Sequence, residues 1–143
     1  MNLALSNIAY SDPFDPEIVS VMAEAGISLL EVAPLKTFGS IEKFDPAKVG
    51  VFMRFAESNK LVVTAFQALL FGAEELYIFD DESNRLRLKE ILFSQIALAG
   101  ELGVKNLVYG SPGTRKLFGK PAEEIYNTAS DFFKELGDYA AEK

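Results

Sequence analysis

The 143-residue sequence predicts an α/β fold of four β/α units, on three observations. Four short apolar runs, at residues 3–8, 29–32, 61–66 and 104–109, have the length and composition of buried strands. Each run closes near a polar or small residue: Asn7, Glu31, Gln67 and the pair Gly110-Ser111. A segment with helical signals follows each of them. Alternation of this kind implies parallel strands joined by crossovers, almost always right-handed. Ligands of such sheets sit at the carboxyl ends of the strands, which makes the closing residues candidate site residues. Four units are half of an eight-unit barrel, which takes roughly 250 residues.

The first helix is announced by Asp15 as cap, Pro16 at the first helical position and Glu17 beside it, and ends at Gly26. Ile18, Met22 and Ala25 give it a buried stripe. Residues 34–44 read as a loop. Asp45 and Pro46 repeat the starting device for the second helix, which carries Val49, Phe52, Met53 and Ala56 and gives out at Ser58-Asn59. The third starts in the acidic run Asp80-Asp81-Glu82, runs through Leu88, Ile91, Leu92, Gln95, Ile96, Ala99 and Leu102, and stops at Gly103. The fourth begins at Pro121, places Ile125, Ala129, Phe132, Phe133 and Leu136 on one face, and is expected to weaken at Gly137. No linker or change of composition divides the chain, so it reads as one domain over 1–143.

With 49% hydrophobic residues the chain has material for a core. Its lack of cysteine excludes disulfides, thiolate metal sites and a cysteine nucleophile. Its lack of histidine excludes a serine triad of the usual kind and any histidine-carboxylate metal site made by this chain alone. General acid–base work would fall to Asp, Glu, Lys or Tyr. A net charge of −7, from 21 acidic and 14 basic residues, opposes binding to nucleic acid and serves solubility. No apolar stretch reaches the roughly 18 residues of a membrane span, and Met1-Asn2-Leu3 lacks the basic flank of a secretory signal. The expectation is a cytoplasmic protein without membrane partners.

Glu31 stands inside the apolar run Leu29-Leu30-Glu31-Val32-Ala33, where a carboxylate is costly unless it meets a polar partner or a pocket. Lys36 is the partner expected if its role is structural, and a site role is the alternative. The amides of Asn7 and Gln67 donate and accept, which suits sugar hydroxyls and equally suits loop capping. In the loop Gly110-Ser111-Pro112-Gly113-Thr114-Arg115-Lys116, small residues and two cations could wrap an anion, with Arg115 the preferred phosphate ligand; the same residues could merely turn the chain. The stretch from Gly113 to Gly119-Lys120 misses the nucleotide-binding pattern. It has five residues between its glycines and Pro121 in place of the metal-binding hydroxyl. Phe66, Phe71, Tyr77 and Phe79 read as packing residues before they read as a ligand platform.

Taken in order, Leu5-Ser6-Asn7-Ile8-Ala9, Leu30-Glu31-Val32-Ala33-Pro34, Phe66-Gln67-Ala68-Leu69-Leu70-Phe71-Gly72 and Leu107-Val108-Tyr109-Gly110-Ser111-Pro112 make the chain resemble the N-terminal half of the sugar phosphate isomerase/epimerase family, the xylose-isomerase-like branch of the TIM barrel. The resemblance spans nearly the whole chain. It implies a parallel (β/α)4 half-barrel with open sheet edges, and a divalent metal (manganese, magnesium or zinc). It also implies proton transfer next to a sugar carbonyl, or a related hydride shift, with the metal neutralising the enediolate. The family's metal ligands lie on the fifth to eighth strands, which this chain does not contain, so no metal ligand and no catalytic residue carries over. Asn7, Glu31, Gln67, Ser111 and Arg115 carry over as substrate-side residues.

The expected partners are therefore a small sugar or sugar phosphate, and either a second copy of the chain or a C-terminal half. The chain by itself is expected to be inactive. Two other readings compete: a non-catalytic protein that holds a phosphorylated ligand or serves assembly, and a small doubly-wound open sheet. The second lacks its glycine-rich turn, because Asn7-Ile8-Ala9-Tyr10 follows the first strand.

Overall fold

The computed structural model describes residues 3–39, 43–73 and 75–143. Its strands are β1 (Ala4–Ser6), β2 (Leu29–Val32), β3 (Val62–Phe66) and β4 (Asn106–Leu107). Its α-helices are α1 (Pro16–Glu24), α2 (Pro34–Phe38), α3 (Pro46–Ser58), α4 (Glu82–Leu102) and α5 (Ala122–Ala141). The four strands form one open sheet in the order β1-β2-β3-β4, and every pair is parallel. This order never reverses. The crevice at a reversal of strand order, on which a doubly-wound sheet depends for its ligand, is therefore missing.

The caps act as the sequence predicts. The Asp15 carboxylate accepts from the backbone N–H of Glu17 at 2.9 Å, Asp45 from Ala47 at 2.8 Å and Asp81 from Asn84 at 2.8 Å. Each satisfies an otherwise orphaned donor in a first turn. Gly103 takes the left-handed conformation (φ +70°) that closes α4.

Three expectations about elements need correction. Residues 34–38 of the expected loop form α2, because Pro34 sits preorganised at its first position and Thr37 N–H bonds the carbonyl of Ala33 at 3.0 Å. The helix after Pro121 does not give out at Gly137. Leu136 is buried in the core, the Tyr139 ring meets Phe93 of α4 with centroids 4.6 Å apart, and Lys134 pairs with Asp138 across one turn. Packing thus offsets the roughly 1 kcal/mol a mid-helix glycine costs. The first and fourth strands are shorter than expected. Both lie at sheet edges, where only one neighbour supplies hydrogen bonds, and Asn7 falls in a 3-10 turn.

Alternation along the strands sorts side chains onto two faces. Leu30, Val32 and Phe66 are buried in the main core with Phe38, Phe52, Leu88 and Leu92. Phe38 sits at the centre of an edge-to-face group, its ring centroid 5.9 Å from Phe44, 5.5 Å from Phe52 and 6.4 Å from Phe66. Leu29, Glu31 and Val62 take the other face, where Val62 is 56% exposed. Between β2 and β3 the register shifts: Leu30 is opposite Val63 but Glu31 is opposite Ala65. The extra residue, Thr64, bonds the Leu30 carbonyl through its hydroxyl at 3.2 Å. Across the sheet this places Ser6, Glu31, Ala65 and Asn106 in one row. Among the described residues no helix is long and apolar enough to cross a membrane.

Candidate functional site at the carboxyl ends of the strands

The chain leaves β3 through Gln67 and Ala68 and leaves β4 through Val108, Gly110 and Ser111. Between these two exits lies a cavity of about 680 Å3, walled further by Phe71, Glu75, Tyr77 and Thr114. Its two walls are tied together by the Ile78 N–H on the Thr114 carbonyl at 2.9 Å. The first wall is also held from α4. The Gln95 side-chain amide donates to the Leu69 carbonyl at 2.7 Å, and Asn84 accepts from Tyr77 N–H at 2.6 Å while donating to the Glu75 carbonyl at 2.7 Å. That wall contains two non-glycine residues with left-handed backbone, Ala68 (φ +47°) and Glu75 (φ +58°). Such conformations cost roughly 1–2 kcal/mol each and persist where the surroundings over-determine them.

Two of the five residues expected on the substrate side, Gln67 and Ser111, line this cavity. Gln67 reaches across β2 to donate from Nε2 to the Ser6 hydroxyl at 2.7 Å, so its oxygen remains to accept. Ser111 presents its hydroxyl while its carbonyl accepts from Thr114 Oγ1 at 2.8 Å. Glu31 lies on the open sheet face in the row between Ser6 and Ala65, half-buried. The pairing with Lys36 expected under its structural reading does not form. Lys36 donates instead to the backbone carbonyls of Asn7, at 2.6 Å, and Tyr10, and no ion pair among the described residues involves Glu31.

Asn7 is placed away from the cavity. It is fully buried, its Oδ1 accepts from Ala33 N–H at 2.9 Å, and its Nδ2 donates to the Thr37 hydroxyl at 2.7 Å. The amide read as a sugar ligand is thus committed to joining the end of β1 to the start of α2. Arg115 is exposed in the 3-10 turn after β4, outside the cavity lining, with Nη2 3.5 Å from the Gly110 carbonyl.

The aromatic group divides evenly. Phe66 and Phe79 are core, as packing predicts, whereas Tyr77 and the exposed Phe71 line the cavity. Tyr77 meets Phe118 edge-on at 5.1 Å, and the Lys116 ammonium lies 4.9 Å from the Phe118 ring centre. Glu75, a cavity residue with no signal in the sequence, sits in irregular backbone where periodicity is silent, whereas Thr114 belongs to the loop expected to wrap an anion and lies in its 3-10 turn. Thr114 also bonds the Tyr109 phenol, oxygen to oxygen, at 2.6 Å. Burial pushes the Tyr109 pKa up, against smaller opposing effects from that hydrogen bond and from Arg115. Tyr10 is likewise raised by burial and, to a lesser extent, by Asp15.

Chemically, the site offers two ring surfaces, an amide oxygen and a hydroxyl. The described lining holds one carboxylate, Glu75, and no lysine or arginine. The cations Arg115 and Lys116 stand beside it on the loop after β4. The chain was compared with protein-family models and with curated proteins, and neither comparison found a match.

Proposed function

We propose that this chain is the N-terminal four-unit part of a sugar phosphate isomerase/epimerase-like barrel and contributes the substrate-side wall of its pocket. The observation that carries the reading is an unreversed, all-parallel strand order with Gln67 and Ser111 meeting at one cavity beyond the strand ends. An eight-stranded barrel of this order keeps its site at that end, built from the loops after several strands. In this reading the sugar carbons lie against Phe71 and Tyr77, and Gln67 and Ser111 bond hydroxyls. The phosphate extends out of the lining toward Arg115.

The divalent metal that such a barrel uses does not fit the residues present. Among the described residues no three carboxylates converge, and Glu31 stands alone in its row. A hard cation needs several oxygen ligands. In this reading the metal and the proton transfer belong to residues outside these four units. A second reading, a non-catalytic binding protein, is favoured by the described lining, in which Glu75 is the one carboxylate, Tyr77 is the one other titratable side chain, and neither lysine nor arginine takes part.

Titration calorimetry with fructose 6-phosphate, fructose and inorganic phosphate tests the proposal. The phosphorylated sugar is expected to bind at least tenfold tighter than fructose. Arg115→Ala should erase that difference, and Gln67→Ala should weaken both sugars by about tenfold, the worth of one to two hydrogen bonds. Absence of binding by either sugar at millimolar concentration would sink it.

A further inference from the structure

The carboxylate of Glu75 has no task in the reading above. It lines the cavity on the wall that follows β3, and among the described residues no ion pair takes it in. Its backbone is left-handed (φ +58°), a conformation that glycine or asparagine adopts at lower cost than glutamate. The surroundings hold it there all the same. The Glu75 carbonyl accepts from Nδ2 of Asn84, whose Oδ1 in turn accepts from Tyr77 N–H. A strained residue fixed by its neighbours at a cavity wall calls for a role for its side chain.

Two aromatic rings, Phe71 and Tyr77, line the same wall, and the faces of such rings are negative and attract cations. The chain itself uses this attraction. The Lys36 ammonium lies 6.0 Å from the Phe71 ring centre and the Lys116 ammonium 6.0 Å from that of Tyr77, both residues standing outside the lining. Rings and carboxylate together make this wall attractive to a positive group, and no lysine or arginine of the described lining supplies one. On the other side, the loop after β4 carries Arg115 and Lys116. The site is thus polarised, with a negative wall after β3 and cations after β4.

We propose that the ligand of this cavity is an amino sugar phosphate, its ammonium on Glu75 and against Phe71 and Tyr77, its phosphate toward Arg115. This rests on the sugar phosphate reading and narrows its substrate class. A neutral sugar phosphate would use the cationic side alone and leave the Glu75 carboxylate facing a hydroxyl. A lone ion pair at an exposed carboxylate gains little, but the rings beside it add to the gain, and the two together give the amine a preference of about tenfold.

Titration calorimetry of the full chain with glucosamine 6-phosphate and glucose 6-phosphate, near neutral pH and at low salt, tests this, because the two differ only in an ammonium replacing one hydroxyl. The amino sugar is expected to bind about tenfold tighter, and the preference should shrink as salt screens the pair. Glu75→Gln keeps the size of the side chain and the Asn84 bond to the carbonyl while removing the charge, and should bring the two ligands within about twofold of each other. Glu75→Gly suits the left-handed backbone and should lose the same preference without loss of stability. Equal binding of the two ligands, or a preference that survives both variants, would overturn the proposal. Fructose 6-phosphate and the unphosphorylated pair, glucosamine and glucose, separate it from the reading beneath it. Binding of fructose 6-phosphate with no preference for the amine ends this proposal alone. Glucosamine preferred over glucose, with no binding of fructose 6-phosphate, ends the functional reading and leaves an amine site at Glu75; binding of none of them ends both.

Discussion

Replacing Asn7 with alanine removes the acceptor for the buried Ala33 N–H and the donor to Thr37. The Thr37 hydroxyl spends its one proton on the Ala33 carbonyl at 2.9 Å, so it meets Asn7 only as an acceptor. An amide is the side chain of this size that serves both neighbours at once. Each lost hydrogen bond costs about 1 kcal/mol net, and an N–H left buried without a partner raises the total to roughly 3 kcal/mol. For a domain of this size that corresponds to a fall in Tm of about 6–12 °C. Thr37→Val should cost about 1 kcal/mol. The double variant should fall short of the sum by about 0.5–1 kcal/mol, because the two side chains share one bond. Urea unfolding of the four proteins of this cycle provides the numbers. A loss below 1 kcal/mol for Asn7→Ala, together with weakened sugar binding, would refute the assignment of Asn7 to the fold and return it to the ligand.

Two further outcomes are expected. Ala68→Gly relieves a left-handed backbone at the start of the cavity wall and should stabilise the protein by about 0.5–1 kcal/mol in the same assay; destabilisation would show that the methyl group packs usefully there. Tyr109 is raised by burial, so the folded state holds its phenolic proton more tightly than the unfolded chain does. Its contribution is complete below the unfolded value near 10 and is lost as the pH climbs through the folded value. Stability should therefore decline above pH 10, and Tyr109→Phe should flatten that decline while losing the bond to Thr114. An unchanged alkaline slope in the variant would refute the assignment.

The signals that proved legible were local. Asp15-Pro16, Asp45-Pro46 and Asp81 mark helix starts because a short carboxylate and a proline act on the next three residues and need nothing else. Gly103 marks an end for the same reason. Gly137 misled because its cost is local but the compensation, burial of Leu136 and the ring contact of Tyr139 with Phe93, comes from another helix. Lys36 misled in the same way. Proximity in sequence suggested Glu31, yet the ammonium turns to two carbonyls of the loop after β1, some 26 to 29 residues away.

By itself the sequence determined the alternation of strands and helices, their approximate bounds, the absence of thiol and imidazole chemistry, and the placing of polar residues at strand ends. These follow from composition, period and capping, all of which act within a few residues. Only the tertiary structure decided the strand order and which polar residues share a cavity. Gln67 and Ser111 meet across it while Asn7 is spent behind it and Arg115 stands outside. That division rests on which face of a strand end each side chain takes, and a single register shift, such as the one between β2 and β3, is enough to change it.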